Sequence, residues 1–321
     1  MILNEPKLEY KSGMPFEAEL CHISKTLPHR HLTEMEFIYV LEGSVHLIAA
    51  EQDVILTAGK IHSIDFNDIH YIEAAGYNLV LIFHIDLSML HNWEELKPVF
   101  FACESNHCYP YQETAMAQVK DILLSLSYVY FCDQYGDYTD TIYRLMDLLK
   151  RYFNWFNYEN QDEHMNIELY ERFERIMVYI IKNYRQKITV SQLAAREHIN
   201  RNYFSQFLSK TIFSSFSTMV NFIRCYRAEP LLLTTNMSIA DISFECGFSD
   251  PKYFYGAFKD LWHRTPTEHR RLYNNCYEAA LSAAPAHEYR FCNRKSDVIS
   301  DDAAASILKE HITLWHLEKN L

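Results

Sequence analysis

Between residues 15 and 86, apolar, β-branched and aromatic runs alternate with turn residues, a pattern that predicts short strands. Phe37-Ile38-Tyr39-Val40-Leu41, Val45-His46-Leu47-Ile48 and Leu79-Val80-Leu81-Ile82-Phe83 are the clearest runs. Glu42-Gly43-Ser44 is expected to join the first two as a tight hairpin, and Ala58-Gly59-Lys60 to make another turn. Many short strands at this spacing imply a small barrel or sandwich. From about Glu113 the period becomes helical. Met116, Val119, Ile122, Leu123 and Leu126 recur on one face, as do Ile142, Leu145, Met146, Leu149 and Tyr152 after Tyr135-Gly136-Asp137. Such a pair makes an antiparallel hairpin that either packs on the barrel or offers an apolar seam to a second copy. The expected use is the seam, and hence a homodimer.

Gln161-Asp162-Glu163-His164 reads as a linker, followed by a helix through Phe173, Ile176, Met177, Ile180 and Ile181. Ala283-Ala284-Pro285-Ala286 breaks structure, and a last helix over about 302–319 carries Leu308, Ile312 and Trp315 on one face. The expected organisation is α+β and multidomain: a barrel at 1–110, a helical hairpin at 111–160, an all-α region at 166–273, and an extension of unassigned role at 274–321.

Composition narrows the class. At 321 residues the chain exceeds one typical core, and 49% hydrophobic with 22% charged residues is globular rather than disordered. The net charge of −12 is unevenly spread. Residues 1–165 hold 10 Lys/Arg against 25 Asp/Glu, whereas residues 187–271 hold 11 against 7. A basic surplus confined to one segment is compatible with a nucleic-acid face joined to an acidic regulatory part. The eight cysteines form no C-x-x-C pair, the first residues lack a secretion signal, and no apolar run reaches the roughly 18 residues of a membrane span. A cytoplasmic protein is expected.

The region 188–271 carries the most specific signal. Ser191–Glu197 reads as a short helix with Leu193 and Ala194 inward, His198 takes the turn, and Asn200 caps a second helix whose buried stripe is Phe204, Phe207 and Leu208. Arg201, Asn202, Ser205 and Gln206 lie on the other side, short, polar and basic as a helix entering the major groove requires. The arrangement repeats. Ile239–Cys246 is a helix ending at Gly247, Ser249 or Asp250 caps the next, and Pro251 sits in its first turn. Tyr253-Phe254 follows Tyr203-Phe204 by fifty positions. Two such units could engage successive major-groove faces about 34 Å apart.

The run Ser238-Ile239-Ala240-Asp241-Ile242, Gly247-Phe248-Ser249-Asp250, Tyr253-Phe254, Phe258-Lys259 and Thr265-Pro266-Thr267-Glu268-His269-Arg270 closely resembles the carboxy-terminal domain of the AraC/XylS family of bacterial regulators. The resemblance extends back to about Ile188. It implies two groove-reading helices and control of transcription initiation, with RNA polymerase as a further candidate partner. By matching position, Asn202, Ser205 and Gln206 would face bases from the first unit and Lys252, Tyr255 and Gly256 from the second, with Arg201 and Lys259 on phosphates. Four positions depart from the pattern: Phe213 and His263 replace the glycine after each reading helix, Pro230 interrupts the connecting helix, and Gly256 stands where an arginine is common.

A second constellation is His29-Arg30-His31, then Glu36, then Gly43, with His70 later. It resembles the first cupin motif plus the histidine of the second, and regulators of this family often carry such a barrel as effector domain. Three imidazoles and a carboxylate suit a divalent transition metal. The same set also suits a metal-free pocket for a small polar effector, such as a sugar or related metabolite, or a purely structural cap. For His46, His62 and His84 a structural role is expected. The resulting expectation is a non-enzymatic, effector-controlled regulator binding double-stranded promoter DNA, with no membrane partner. The rivals are a metal-dependent cupin oxygenase or isomerase with an appended helical domain, and a metal sensor.

Overall fold

In the computed structural model the described residues are 8, 10–11, 13–50, 52–96, 100–153, 167–209, 213, 215–282 and 295–319. The linker expected at Gln161–His164 and the break at Ala283–Ala286 lie outside them. The chain divides into two compact units, one gathering Asn4–Trp93, Phe100–Asn154 and Tyr277–Leu321, the other centred on Trp155–Cys276. They are called here the effector unit and the reading unit.

The effector unit is built on strands β1 (Phe16–Lys25), β2 (Glu34–Ala49), β3 (Gln52–Thr57), β4 (Ile61–Ile64), β5 (His70–Asp86) and β6 (Lys295–Val298). They pair antiparallel in the order β3-β2-β5-β1-β6, with β4 also on β2. The expected hairpin at Glu42-Gly43-Ser44 does not form. β2 runs unbroken through it, and the ladder with β5 shifts register between Val40 and Glu42 and again between Gly43 and Val45. Gly43 has φ +70°, and a Cβ there would lie 1.7 Å from the Tyr77 carbonyl oxygen. The glycine therefore marks bulges at a close backbone approach, where two runs fuse into one bent strand. The turn at Ala58-Gly59-Lys60 forms as expected.

Period-2 alternation sorts the side chains of β2 and β5. Ile38, Val40, Val80 and Ile82 join one fully buried apolar cluster. Phe83, of opposite parity, stacks on Phe16 at 5.4 Å, and Phe16 in turn meets Tyr130 and Tyr138. After a single-turn helix α1 (Trp93–Leu96) come α2 (Glu113–Phe131) and α3 (Thr139–Tyr152). Met116, Val119, Ile122, Leu123 and Leu126 of α2, and Ile142, Leu145, Met146 and Leu149 of α3, are all buried within the single chain. This corrects the expectation of an apolar seam left for a second copy. Of the expected face, Tyr152 alone is exposed.

The segment after the reading unit packs against the same α2 helix. Helix α11 (Asp301–Lys319) packs on α2, burying Leu308, and the Trp315 indole N–H donates to Asp121. The Lys11 ammonium bridges Asp133 at 2.7 Å and Asp301 at 2.9 Å. β6 pairs with β1, Val298 opposite Cys21, and so covers what would otherwise be a sheet edge.

The reading unit comprises α4 (Ile167–Asn183), α5 (Val190–Arg196), α6 (Arg201–Leu208), α7 (Phe216–Thr234), α8 (Ile239–Glu245), α9 (Pro251–Trp262) and most of α10 (Pro266–Ser282). Aromatic rings fill its centre, with Phe258 and Trp262 stacked at 4.7 Å and Trp262 against Phe222 at 6.1 Å. The departures from the family pattern are absorbed locally. His263 adopts φ +54° at the end of α9, the left-handed conformation usually given to glycine. Phe213 packs between Phe173 and Phe222. α7 continues through Pro230, whose carbonyl accepts from the Thr234 hydroxyl at 2.6 Å.

Candidate functional site

Two sites stand out, and the first is the pair of reading helices. α5 opens with a capping box, Thr189 and Gln192 satisfying each other's backbone N–H groups. Leu193 and Ala194 are buried, which lets α5 and α6 cross closely, and His198 makes the turn at φ +55°. The Asn200 side chain accepts from the Tyr203 N–H at 2.8 Å, starting α6. Phe204, Phe207 and Leu208 are buried beneath it. In the second unit Gly247 makes the turn at φ +86°, and a Cβ there would meet the Tyr184 carbonyl oxygen at 2.6 Å. Asp250, not Ser249, is the cap of α9, accepting from the Lys252 N–H at 2.8 Å, with Pro251 following.

Arg201, Asn202, Ser205 and Gln206 on α6, and Lys252, Tyr255, Gly256 and Lys259 on α9, are all exposed. Lys252 rests 3.4 Å from Asp250, and the Tyr255 hydroxyl lies 3.3 Å from that of Thr267. Gly256 faces open space, with nothing within 4 Å of a Cβ. Sequence reasoning used Tyr203 and Tyr253 only as markers of the repeat. Both are exposed, 41% and 56%, on the polar sides of their helices. Each directly precedes a buried phenylalanine in a helix, and that spacing already turns it outward.

The second site lies inside the effector unit. Glu36 is fully buried, and one of its oxygens, Oε2, is the meeting point of four imidazoles. His31 Nε2 lies at 2.9 Å, His70 Nε2 at 3.1 Å, His84 Nε2 at 3.2 Å and His29 Nε2 at 3.9 Å. The four predicted residues are thus brought together, and His84 joins them. Its place beside Glu36 is compatible with the structural role expected for it. His84 shares strand parity with Val80 and Ile82 and pairs directly with Glu36 in the ladder, a register that the bulges hide from the sequence. The two other histidines lie elsewhere. His46 is half-buried between Asp53 and Glu73, and His62 is buried and bridged to Glu104.

Burial pushes the His29 imidazolium down to about 4, with the His70 charge adding to the effect. His31 is likewise held well below the ordinary histidine value, chiefly by desolvation. For Glu36 burial acts upward, but the charges of His70 and His84 and the nearby His29 and His31 imidazoles outweigh it, holding the carboxyl well below its usual range. The result is an ionised carboxylate among imidazoles, of which His29 and His31 are held neutral.

The donor set fits a transition-metal ion. Ligand atoms of His29, His31, Glu36 and His70 lie within 4.8 Å of one another. Nδ1 of His29 faces the Leu27 carbonyl at 2.7 Å and Nδ1 of His70 faces the Asp68 carbonyl at 3.0 Å. A carbonyl only accepts, so each Nδ1 carries a proton, and Nε2 is the ring atom left to face Glu36 or a bound ion. This is the orientation that backbone carbonyls impose on metal-ligating histidines. Glu36 Oε1, His29 Nε2 and His31 Nδ1 are buried without a hydrogen-bond partner.

Comparison with known proteins finds two domains in the chain. A helix-turn-helix domain model matches residues 193–272, and a cupin domain model matches residues 22–85. The chain is 32% identical over 103 residues to the HTH-type transcriptional regulator YijO of Escherichia coli (strain K12), covering 32% of this chain and 36% of that protein. It is 29% identical over 104 residues to the lactose operon transcription activator of Staphylococcus xylosus, covering 32% and 37%. The chain thus matches only about a third of the length of these two relatives. A longer match, 23% identical over 264 residues, covers 78% of this chain and 82% of the regulator YdiP of E. coli (strain K12). The first and third are named as uncharacterized HTH-type transcriptional regulators and the second as a transcription activator. The chain carries a cupin domain over residues 22–85 ahead of a helix-turn-helix domain over residues 193–272, and that second domain is similar to those of known transcription regulators.

Proposed function

We propose that this protein is a cytoplasmic transcription regulator that binds promoter DNA through α6 and α9 and takes its effector in the His/Glu cluster of the effector unit. The observation that carries the DNA reading is the repeated construction: two capped helices, each anchored by a buried phenylalanine and each exposing a short polar face. Such faces reach base edges, while Arg201 and Lys259 suit phosphates. Among the described residues no helix is long and apolar enough to cross a membrane. A homodimer fits two-fold operators, and RNA polymerase is the further partner an activator would touch.

The effector is a divalent transition metal rather than a sugar. Glu36 Oε2 lies within 3.9 Å of all four imidazoles, which leaves no room between them for a sugar ring. An ion needs only the Nε2 atoms that His29 and His70 already direct inward. Genome-wide capture of bound DNA, run on cells grown with added Zn²⁺ and with a chelator, tests both parts. Discrete promoter peaks that change with metal supply are expected. Diffuse binding would overturn the DNA reading. Sharp peaks indifferent to metal would overturn only the effector assignment.

A further inference from the structure

The helix-turn-helix pair is accounted for by DNA, and the family spacing accounts for His29, His31, Glu36 and His70. His84 belongs to neither. It lies on β5 directly across from Glu36 on β2, in line with the apolar Val80 and Ile82, and is 1% exposed. A ring at that position without a chemical task would be expected to be apolar like its neighbours, since burying an imidazole costs free energy that packing alone does not return. Instead it aims Nε2 at the same carboxylate oxygen that the other three approach, and its ring lies edge-on to His31 at 4.7 Å between centroids. The cluster therefore holds four imidazoles against a single carboxylate.

Resting on the metal reading above, we propose that His84 is a further nitrogen donor of this site and that it sets which cation the effector unit accepts. Each imidazole added to one carboxylate tilts a site away from oxygen-preferring cations such as Mn²⁺ and Mg²⁺ and toward Zn²⁺, Ni²⁺, Co²⁺ or Cu²⁺. His84 thus does more than hold Glu36 in place. A holding role needs only a hydrogen bond, which a glutamine can supply; donation to a metal needs the imidazole.

The test compares the full-length wild type with His84→Gln and His70→Gln, titrating each with Zn²⁺ and with Mn²⁺ under chelator competition and recording the visible spectrum of the Co²⁺-loaded forms. The wild type is expected to prefer Zn²⁺. His84→Gln is expected to lower the ratio of Zn²⁺ to Mn²⁺ affinity by about tenfold or more and to shift the Co²⁺ bands. If His84→Gln weakens both ions equally and leaves the Co²⁺ spectrum in place, His84 only positions Glu36 and the proposal is overturned. If His84→Gln matches the wild type while His70→Gln loses binding, His84 has no part in the site. Should the wild type itself bind none of these ions, the metal reading falls with it, whereas the DNA reading, measured separately on duplex DNA, stands. Circular dichroism of His84→Gln against the wild type separates loss of a ligand from loss of fold.

Discussion

Glu36 on β2 and His84 on β5 face each other across the antiparallel ladder, with His84 Nε2 3.2 Å from the Glu36 carboxylate and both side chains buried. A charge in such a place is stable only while its partners remain. Three further imidazoles around the same oxygen supply them.

Replacing that carboxylate is the sharpest perturbation of the effector unit. Glu36→Gln removes the only charge the four imidazoles surround, leaving polar groups in a dry interior. The expected loss is about 2–4 kcal/mol of effector-unit stability, read as a lower urea midpoint. Hydrogen exchange in α6 and α9 should be unchanged. A midpoint equal to that of the wild type would mean that the cluster contributes nothing to the fold.

On the reading helices, base and phosphate contacts should separate by their signatures. Asn202→Ala is expected to cost about 1–3 kcal/mol on a duplex selected from a random pool and to relax preference at one or two base pairs. Lys259→Ala should weaken all sequences alike and reduce the slope of affinity against salt by about one counterion. Fluorescence anisotropy at several salt concentrations checks both. If the two variants behaved identically, the assignment of bases and phosphates would be wrong.

Two glycines of the second unit should respond in opposite directions to the same change. Gly247 holds φ +86° with a Cβ position 2.6 Å from backbone oxygen, so Gly247→Ala should destabilise the reading unit by more than about 1 kcal/mol. Gly256 lies mid-helix in open space, so Gly256→Ala should stabilise it by up to about 1 kcal/mol. Thermal melts of the two variants decide this, and shifts of the same sign would contradict it.

The contrast also shows what a sequence can and cannot disclose. The caps Asn200 and Asp250, the turn at His198 and the buried stripe of α6 follow from local rules, each acting over three or four residues. The four predicted members of the pocket were legible because a known spacing reports them. The other features depend on distant partners. Gly43 signals either a reversal or a bulge, and only its approach to Tyr77 decides between them. His84 enters the cluster through a register that two bulges reset, and α11 returns to α2 across nearly two hundred positions. The apolar stripe that looked like a dimer seam is buried within one chain, where α2 packs on β1, α3 and α11.

Acid should weaken the effector unit through His62. Burial lowers its proton affinity in the folded state, with the nearby Glu104 charge opposing and those of His70 and His107 adding. The unfolded chain protonates this ring below about pH 6.5 while the folded one resists. The contribution is therefore intact above pH 6.5 and declines as the pH drops below it, by up to about 1.4 kcal/mol per pH unit, until the folded-state value is passed. His62→Gln should flatten this part of the stability profile relative to the wild type. A slope left unchanged would show that His62 takes up its proton equally in both states.

The central claim, that α6 and α9 read DNA together, is tested most directly by one binding experiment. Wild type, an α6 variant (Asn202→Ala with Gln206→Ala), an α9 variant (Lys252→Ala with Tyr255→Ala) and the combination are titrated onto one duplex selected by the wild-type chain, at physiological salt. Each pair is expected to lose at least about tenfold in affinity and the combination to fall to non-specific binding. A combined variant that bound the selected duplex as tightly as the wild type would contradict the account.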